Sequence, residues 1–362
     1  MRVIRPLYVA RVCALLLGLG VFVPPPAVSA PQAKKSTTTS KKATTQKTTP
    51  AKKKTTYSAN SSAARKARLA RARRAAKARE QARLQRLRAA LQEAMTPRFK
   101  ADATGAMVPD VRAAAAIIFD PQSGQVLWEE NGQDKRPIAS ITKVMTALVF
   151  LEDNPDLTRQ ITIERSDVYA ASTTYLRANE RLSVNNLLHL ALIASDNAAA
   201  RALARISHGG SAAFIERMNE KALELGLEST TFADPSGLNP ENISSAYDLS
   251  RLISLAAADD RIAPIMRTAE YKVSTSRRTF SIHSTNRLLL GGEVDVMGGK
   301  TGFISMAGYC LATLLRLPQS NHQIAVVVLG ATSNQGRFWE TRHLFNWLSQ
   351  KAADIFTKDQ QQ

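Results

Sequence analysis

The 362-residue sequence predicts an α/β domain of the α+β kind. One sheet, built from both ends of the folded region, packs against helices and carries a helical insertion. Three observations predict it. Strand-like apolar runs stand at both ends of the region that begins near residue 106. The stretch between them, about 183–270, has helical periodicity. An amphipathic helical segment, RFWETRHLFNWLSQKA, follows the last strand-like run.

The elements follow in order. AAAAIIFD and QVLWEE read as two strands joined by Pro121-Gln122-Ser123-Gly124, a turn signature. ASITK, Ala139 to Lys143, then opens a helix that runs through VMTALVF to about residue 152. SVNNLLHLALIA, NAAARALARI, AAFIERMNEKALELG and AYDLSRLISLAAA supply the helical middle. VDVMGGKTGF, GYCLATLLRL and HQIAVVVLGAT read as three further strands, with LPQSN as a tight link between the last two. A cleft between sheet and insertion is the natural place for a site.

The first 105 residues are of a different kind. Arg2, Arg5 and Arg11 lead into CALLLGLGVFV, and Val28-Ser29-Ala30 offers a small-residue cleavage site, so residues 1–30 read as an export signal. An uncleaved anchor is the other reading, although the apolar run is short for a span. Either way the bulk of the chain is expected outside the cytoplasm, in the periplasm or cell envelope. Residues 31–58 are mostly Lys, Thr, Ala and Ser and cannot bury a core. Residues 61–95, rich in Ala, Arg and Leu, predict a basic helix with Leu84, Leu87, Leu91 and Met95 on one stripe. The net charge of +19 is uneven: residues 1–100 hold 24 Lys+Arg against 2 Asp+Glu, a net of +22, and the remainder is at −3. The basic character therefore belongs to the arm, residues 31–105, and says little about what the domain at 106–356 acts on. Behind an export signal, anionic envelope polymers or a membrane surface fit this arm and nucleic acid does not. A solvated spacer is the alternative. Cys13 would leave with the signal, and Cys310 remains alone in an apolar run. No metal-ligand spacing occurs, and neither a metal nor another cofactor is called for.

Ser140 could be a helix N-cap and Lys143 could reach solvent. The chemical alternative is a nucleophile and its base. On a helix, i and i+3 share a face, so Lys143 can reach the Ser140 hydroxyl. A lysine base must be neutral, which burial or a second cation such as Lys300 would favour. Ser140 at the positive end of a helix also offers its own N–H to an oxyanion. Ser140–Lys143 is the one Ser-x-x-Lys of the chain, and Lys300-Thr301-Gly302 also occurs once. Ser-x-Asn occurs at Ser58, Ser183, Ser195 and Ser284, and only Ser195-Asp196-Asn197 lies between two apolar helical runs.

The ordered set SITK, SDN and KTG resembles the serine active-site penicillin-recognising enzymes. That resemblance, over residues 108–350, implies a β-lactamase/transpeptidase-like fold with an antiparallel sheet. PIASITKVMTALV, SSAYDLSRL, HSTNRLL and KTGF with AGYCL are similar to the low-molecular-mass D-alanyl-D-alanine peptidases, most of all the endopeptidases of the penicillin-binding protein 7 type. The larger carboxypeptidases of that family carry a further β-rich domain and an amphipathic C-terminal anchor, and neither is expected in a sequence ending at Gln362.

By resemblance Ser140 is the acyl-ester nucleophile, Lys143 the proton acceptor and Ser195 a proton relay. Asn197 would hold the substrate amide, and Lys300 and Thr301 its terminal carboxylate. Gly302 would allow close backbone approach. The N–H of Phe303 would be the second oxyanion donor. The implied partners are peptidoglycan stem peptides and, as covalent inhibitors, β-lactams.

Cleavage of cross-links is the expected activity and D-alanyl-D-alanine carboxypeptidase the alternative. A β-lactamase would need a deacylation device. The Glu-x-x-Leu-Asn of one large class is absent, with Asp234-Pro235-Ser236-Gly237-Leu238-Asn239 the nearest stretch. The rival outside enzymes is an envelope-polymer-binding protein with a passive penicillin-binding domain. An α/β-hydrolase would need a Gly-x-Ser-x-Gly elbow, which does not occur.

Overall fold

A computed structural model describes residues 59–318 and 321–359. The expected export signal, the Lys/Thr segment and part of the LPQSN link fall outside the described residues. The chain divides into two units, Met1–Ala70 and Arg71–Gln362.

Helix α1 (Ala59–Met95) is favoured by its Ala, Arg and Leu content. From residue 63 onward all of it is exposed except half-buried Ala94, so the Leu84–Met95 stripe faces solvent. A short hairpin follows, β1 (Phe99–Ala101) with β2 (Met107–Pro109). Its turn is held by the Asp102 carboxylate, which accepts the N–H groups of Thr104 and Ala106. The pairing straddles residue 106, and no periodicity announced it.

β3 (Ala115–Asp120) and β4 (Gln125–Glu130) form the first hairpin of the domain, with Gly124 at φ +74 in the turn. β5 (Arg136–Pro137), a 3-10 turn (Ala139–Thr142) and α2 (Lys143–Glu152) come next. β6 (Gln160–Thr162), α3 (Arg165–Val168) and β7 (Arg181–Ser183) lead to α4 (Val184–Ile193), α5 (Asn197–Ile206) and α6 (Gly210–Glu224). β8 (Ile243–Ser244), α7 (Ala246–Ala258) and α8 (Ala263–Met266) precede the hairpin of β9 (Glu270–Ser274) and β10 (Thr279–His283). After α9 (Leu288–Gly291) the chain returns to the sheet as β11 (Asp295–Ile304), β12 (Gly308–Arg316) and β13 (Gln323–Ala331), and α10 (Gly336–Asp359) follows.

The five-stranded sheet has the order β11-β12-β13-β3-β4, with every neighbour antiparallel. Both ends of the domain build it, as the sequence predicts. Alternate residues point to opposite faces. Ala115, Ile117 and Phe119 join Ala325, Val327 and Leu329 beneath the helical layer. Ala116 and Ile118 join Val326 and Val328 beneath α10, against Phe338 and Phe345. Burial on both faces explains why these strands read as continuous apolar runs and not as alternating ones. Helix α2 is buried along residues 143–151, so helices surround it and its apolar surface runs all the way round. Its first residue, Lys143, is among the largest fully buried side chains.

Candidate active site

The 3-10 turn and α2 present Ser140 and Lys143 together. No side-chain cap bond starts either element, which removes the N-cap reading of Ser140. Lys143 is fully buried, which removes the solvent-seeking reading as well. Its Nζ lies 2.9 Å from Ser140 Oγ, 2.6 Å from Asn197 Oδ1 and 2.5 Å from the carbonyl oxygen of Ser236. Asn197 donates through Nδ2 to the carbonyl of Ala171, 2.7 Å away, and this fixes its oxygen toward the lysine.

Two of the three Lys143 partners can only accept. A neutral amine must therefore spend both of its hydrogens on Asn197 Oδ1 and the Ser236 carbonyl, which leaves its lone pair facing the Ser140 hydroxyl. Burial lowers the Lys143 pKa to about 7, against the opposing pull of Asp234 and Asp196 and with a smaller push from Arg201.

Lys300, also buried, stands on β11. Its Nζ donates to Ser195 Oγ and to the Thr301 carbonyl, both at 2.9 Å. Burial first, then Lys143 and Arg337, push its pKa well below the ordinary lysine value. Repulsion between the two buried ammonium groups disfavours charge on both, as expected of a second cation beside Lys143, and Arg201 adds a push on Lys143. Ser195 sits at φ +59, a left-handed conformation rare for serine, at the corner between α4 and α5. Asp196 caps α5 by accepting the N–H of Ala199 and also accepts the N–H of Tyr175, which ties this corner to the loop carrying Ser172 and Thr173.

Ser140, Ser195, Asn197, Thr301, Gly302 and Phe303 line one cleft of about 410 Å³, together with Ser172, Thr173, Thr285 and Arg337. Lys143 and Lys300 lie below it, each bonded to one of the two serines. All eight residues singled out in the sequence are thus brought together. Gly302 allows the expected close backbone approach. A Cβ there would lie 2.6 Å from the Ile138 carbonyl and 3.2 Å from Ser140 N, so what approaches Gly302 is the protein's own turn. That contact packs β11 at Gly302 against the turn that carries Ser140. Asn197 has a further partner that the motif did not reveal, the Lys143 amine.

Five contributors were not singled out in the sequence. The Ser236 carbonyl accepts from Lys143, and Gly237, at φ +80, leaves room for the Ala139–Ser140 peptide, where a Cβ would stand 2.0 Å from the Ala139 oxygen. The Asp234 carboxylate shapes that loop, accepting from the N–H groups of Ser236, Gly237 and Asn239. Asp234-Pro235-Ser236-Gly237 is a turn signature that could have drawn attention. Thr285 receives the Thr301 hydroxyl at 2.6 Å, and it lies within the Ser-x-Asn at Ser284, which the sequence did not place between apolar helical runs. Arg337, buried, bonds the carbonyls of Gly302 and Cys310, and burial brings its pKa to about 10. Nothing local marked it. Among the described residues no group of three or more His, Cys, Asp or Glu could hold a metal ion.

Residues 102–333 match the model of the peptidase S11 family, described as D-alanyl-D-alanine carboxypeptidase. The chain is 33% identical over 242 residues to the D-alanyl-D-alanine endopeptidase of Escherichia coli K12, a match covering 66% of this chain and 77% of that protein. It is 32% identical to the D-alanyl-D-alanine carboxypeptidase DacF of Bacillus subtilis, covering 62% of this chain and 59% of that protein. The crystal structure of the Streptomyces K15 DD-transpeptidase superposes with a TM-score of 0.62 at 28% identity, covering 66% of this chain and 97% of that one. Sequence, sheet and cleft agree, and the chain belongs to the peptidase S11 family and is a serine D-alanyl-D-alanine peptidase, a hydrolase whose family acts on peptidoglycan peptides.

Proposed function

We propose that the protein is a D-alanyl-D-alanine endopeptidase that opens peptidoglycan cross-links through an acyl ester on Ser140. The observation that carries the mechanism is the Lys143 lone pair aimed at Ser140 by two acceptor-only partners. Ser140 Oγ attacks the D-alanyl carbonyl carbon while Lys143 takes its proton. The N–H groups of Ser140 and of Phe303, the residue after Gly302, hold the oxyanion. Collapse breaks the peptide bond, and the departing amine takes a proton through Ser195, which Lys300 holds. Water then hydrolyses the ester and Ser140 regains its proton. Thr301 and Arg337 line that end of the cleft and Lys300 lies beneath it, a hydroxyl and two basic groups suited to the carboxylate on the D-centre beyond the scissile bond. Asn197 orients Lys143, and the second hydrogen of its Nδ2 is the group that would hold the substrate amide.

The endopeptidase reading is supported by the extent of the matches, which take in 77% of the endopeptidase against 59% of the carboxypeptidase. Carboxypeptidase action on monomeric pentapeptides is the second reading, favoured by the family model itself. The signal-like residues 1–30 support export to the periplasm or envelope, where this substrate lies. β-Lactams, which present an acylating carbonyl beside a carboxylate, would acylate the same serine.

The test is digestion of purified cross-linked muropeptide dimers and monomeric pentapeptides side by side. Dimers should fall to monomers while pentapeptides persist. Release of D-alanine from pentapeptides with dimers left intact would make the protein a carboxypeptidase.

A further inference from the structure

Helix α1 lies outside the residues that match the peptidase family, and its surface is unlike that of the domain. Between Arg71 and Met95 it carries eight Lys and Arg against Glu80 and Glu93. Its apolar side chains are not scattered. With 3.6 residues per turn, Leu84, Leu87, Leu91 and Met95 fall within roughly 80° of arc. They are 45%, 67%, 46% and 49% exposed, and nothing in the domain covers them. Arg79, Arg83 and Arg86 flank this stripe on one side and Arg88 on the other. The last turn is anchored: the Arg112 guanidinium donates to the carbonyls of Glu93 and Ala94 at 2.8 and 3.4 Å.

The combination selects an occupant. A polyanion would use the arginines and leave the leucines in water. A bilayer boundary uses both, because acyl chains receive the narrow apolar stripe while anionic headgroups receive the long cationic side chains beside it. We propose that Arg71–Met95 is a docking surface for an anionic lipid bilayer, on which the helix lies flat with the Leu84–Met95 stripe at the headgroup boundary. The helix is short of apolar residues, so the attachment is reversible and weakens as salt screens the charges. Its anchorage through Arg112 holds the peptidase domain close to that surface. The proposal does not depend on the chemistry at Ser140.

Full-length protein in a Cys13→Ser background, labelled with an environment-sensitive fluorophore, tests it. The label is placed at Leu87→Cys on the stripe or at Ala89→Cys on the opposite face, with buried Cys310 inaccessible to it. With vesicles of phosphatidylcholine and phosphatidylglycerol, emission from position 87 should move to the blue and emission from position 89 should stay that of water. Phosphatidylcholine alone should produce no shift, and high salt should reverse it. Replacing Arg79, Arg83 and Arg86 with Gln should raise the lipid needed for a half-maximal shift by at least about tenfold, with the melting temperature of the domain unchanged. No shift at position 87, equal shifts at both positions, or the same shift on phosphatidylcholine alone would overturn the proposal. So would co-sedimentation with vesicles while both labels report water, since that is a contact of charge without insertion.

Discussion

Lys143 and Lys300 are buried side chains under one cleft, and each holds a serine at 2.9 Å. Their surroundings differ. Lys143 meets two oxygens that can only accept, with Asp234 and Asp196 pulling against the burial that lowers its pKa to about 7. Lys300 meets a hydroxyl and a carbonyl, and its charged neighbours are Lys143 and Arg337, both cations. The first setting keeps an amine whose lone pair has one place to go. The second has cations and no anion around a buried amine, which pushes its pKa down and makes it suited to receiving an anion. The same residue type, equally buried, is thus prepared for proton transfer on one side of the cleft and for carboxylate binding on the other.

The largest test of that division is Ser140→Ala. Intact-mass spectrometry should show one penicilloyl adduct on the native protein and none on the variant, and peptide hydrolysis should fall at least about a thousandfold. An adduct that survives would move the nucleophile elsewhere and dissolve the comparison.

Exchange of each lysine for arginine comes next. Lys143→Arg cannot become neutral and should reduce acylation nearly to the level of Ser140→Ala, whereas Lys300→Arg keeps a cation and should retain measurable rates, about 10- to 100-fold lower. Equal losses would contradict the assignment. The pH dependence has a definite sign. Neutral Lys143 is the active form, and the fraction neutral grows as pH rises through about 7, so acylation should climb across that range. Lys300→Arg should keep this rising limb.

Gly237→Ala probes the backing of the Lys143 side. Its Cβ would stand 2.0 Å from the Ala139 oxygen at a φ of +80. The variant should lose about 3 kcal/mol of stability, read from the denaturant midpoint, and acylate slowly. Unchanged stability would mean that the turn before Ser140 can shift without cost.

The smallest effect is expected at Thr285. Thr285→Val removes the partner of the Thr301 hydroxyl. Steady-state kinetics should show KM raised about three- to tenfold with kcat little changed, since one hydrogen bond is worth about 1 kcal/mol. A fall in kcat at constant KM would assign Thr285 to the chemistry and not to binding.

The sequence by itself determined the strands at both ends of the domain, the helical middle, the basic helix and the three motifs. These are local properties: apolar periodicity, turn residues, and residue types at fixed short spacings such as Ser140 to Lys143. It could not show that the short β1–β2 hairpin forms, because three-residue strands carry no period. Only the tertiary structure decided how the motifs work. The burial of Lys143 brings its pKa down to about 7, and its lone pair is aimed by Asn197 and by Ser236, which lie 54 and 93 residues further along the chain. Lys300 reaches Ser195 across 105 residues. Gly302 matters because the turn before Ser140 packs on it, and Thr285 and Arg337 matter because they bond Thr301 and Gly302 of β11 from distant parts of the chain. A pKa, a lone-pair direction and a close backbone contact depend on which atoms surround a group in space, and those atoms come from parts of the chain that no local pattern connects.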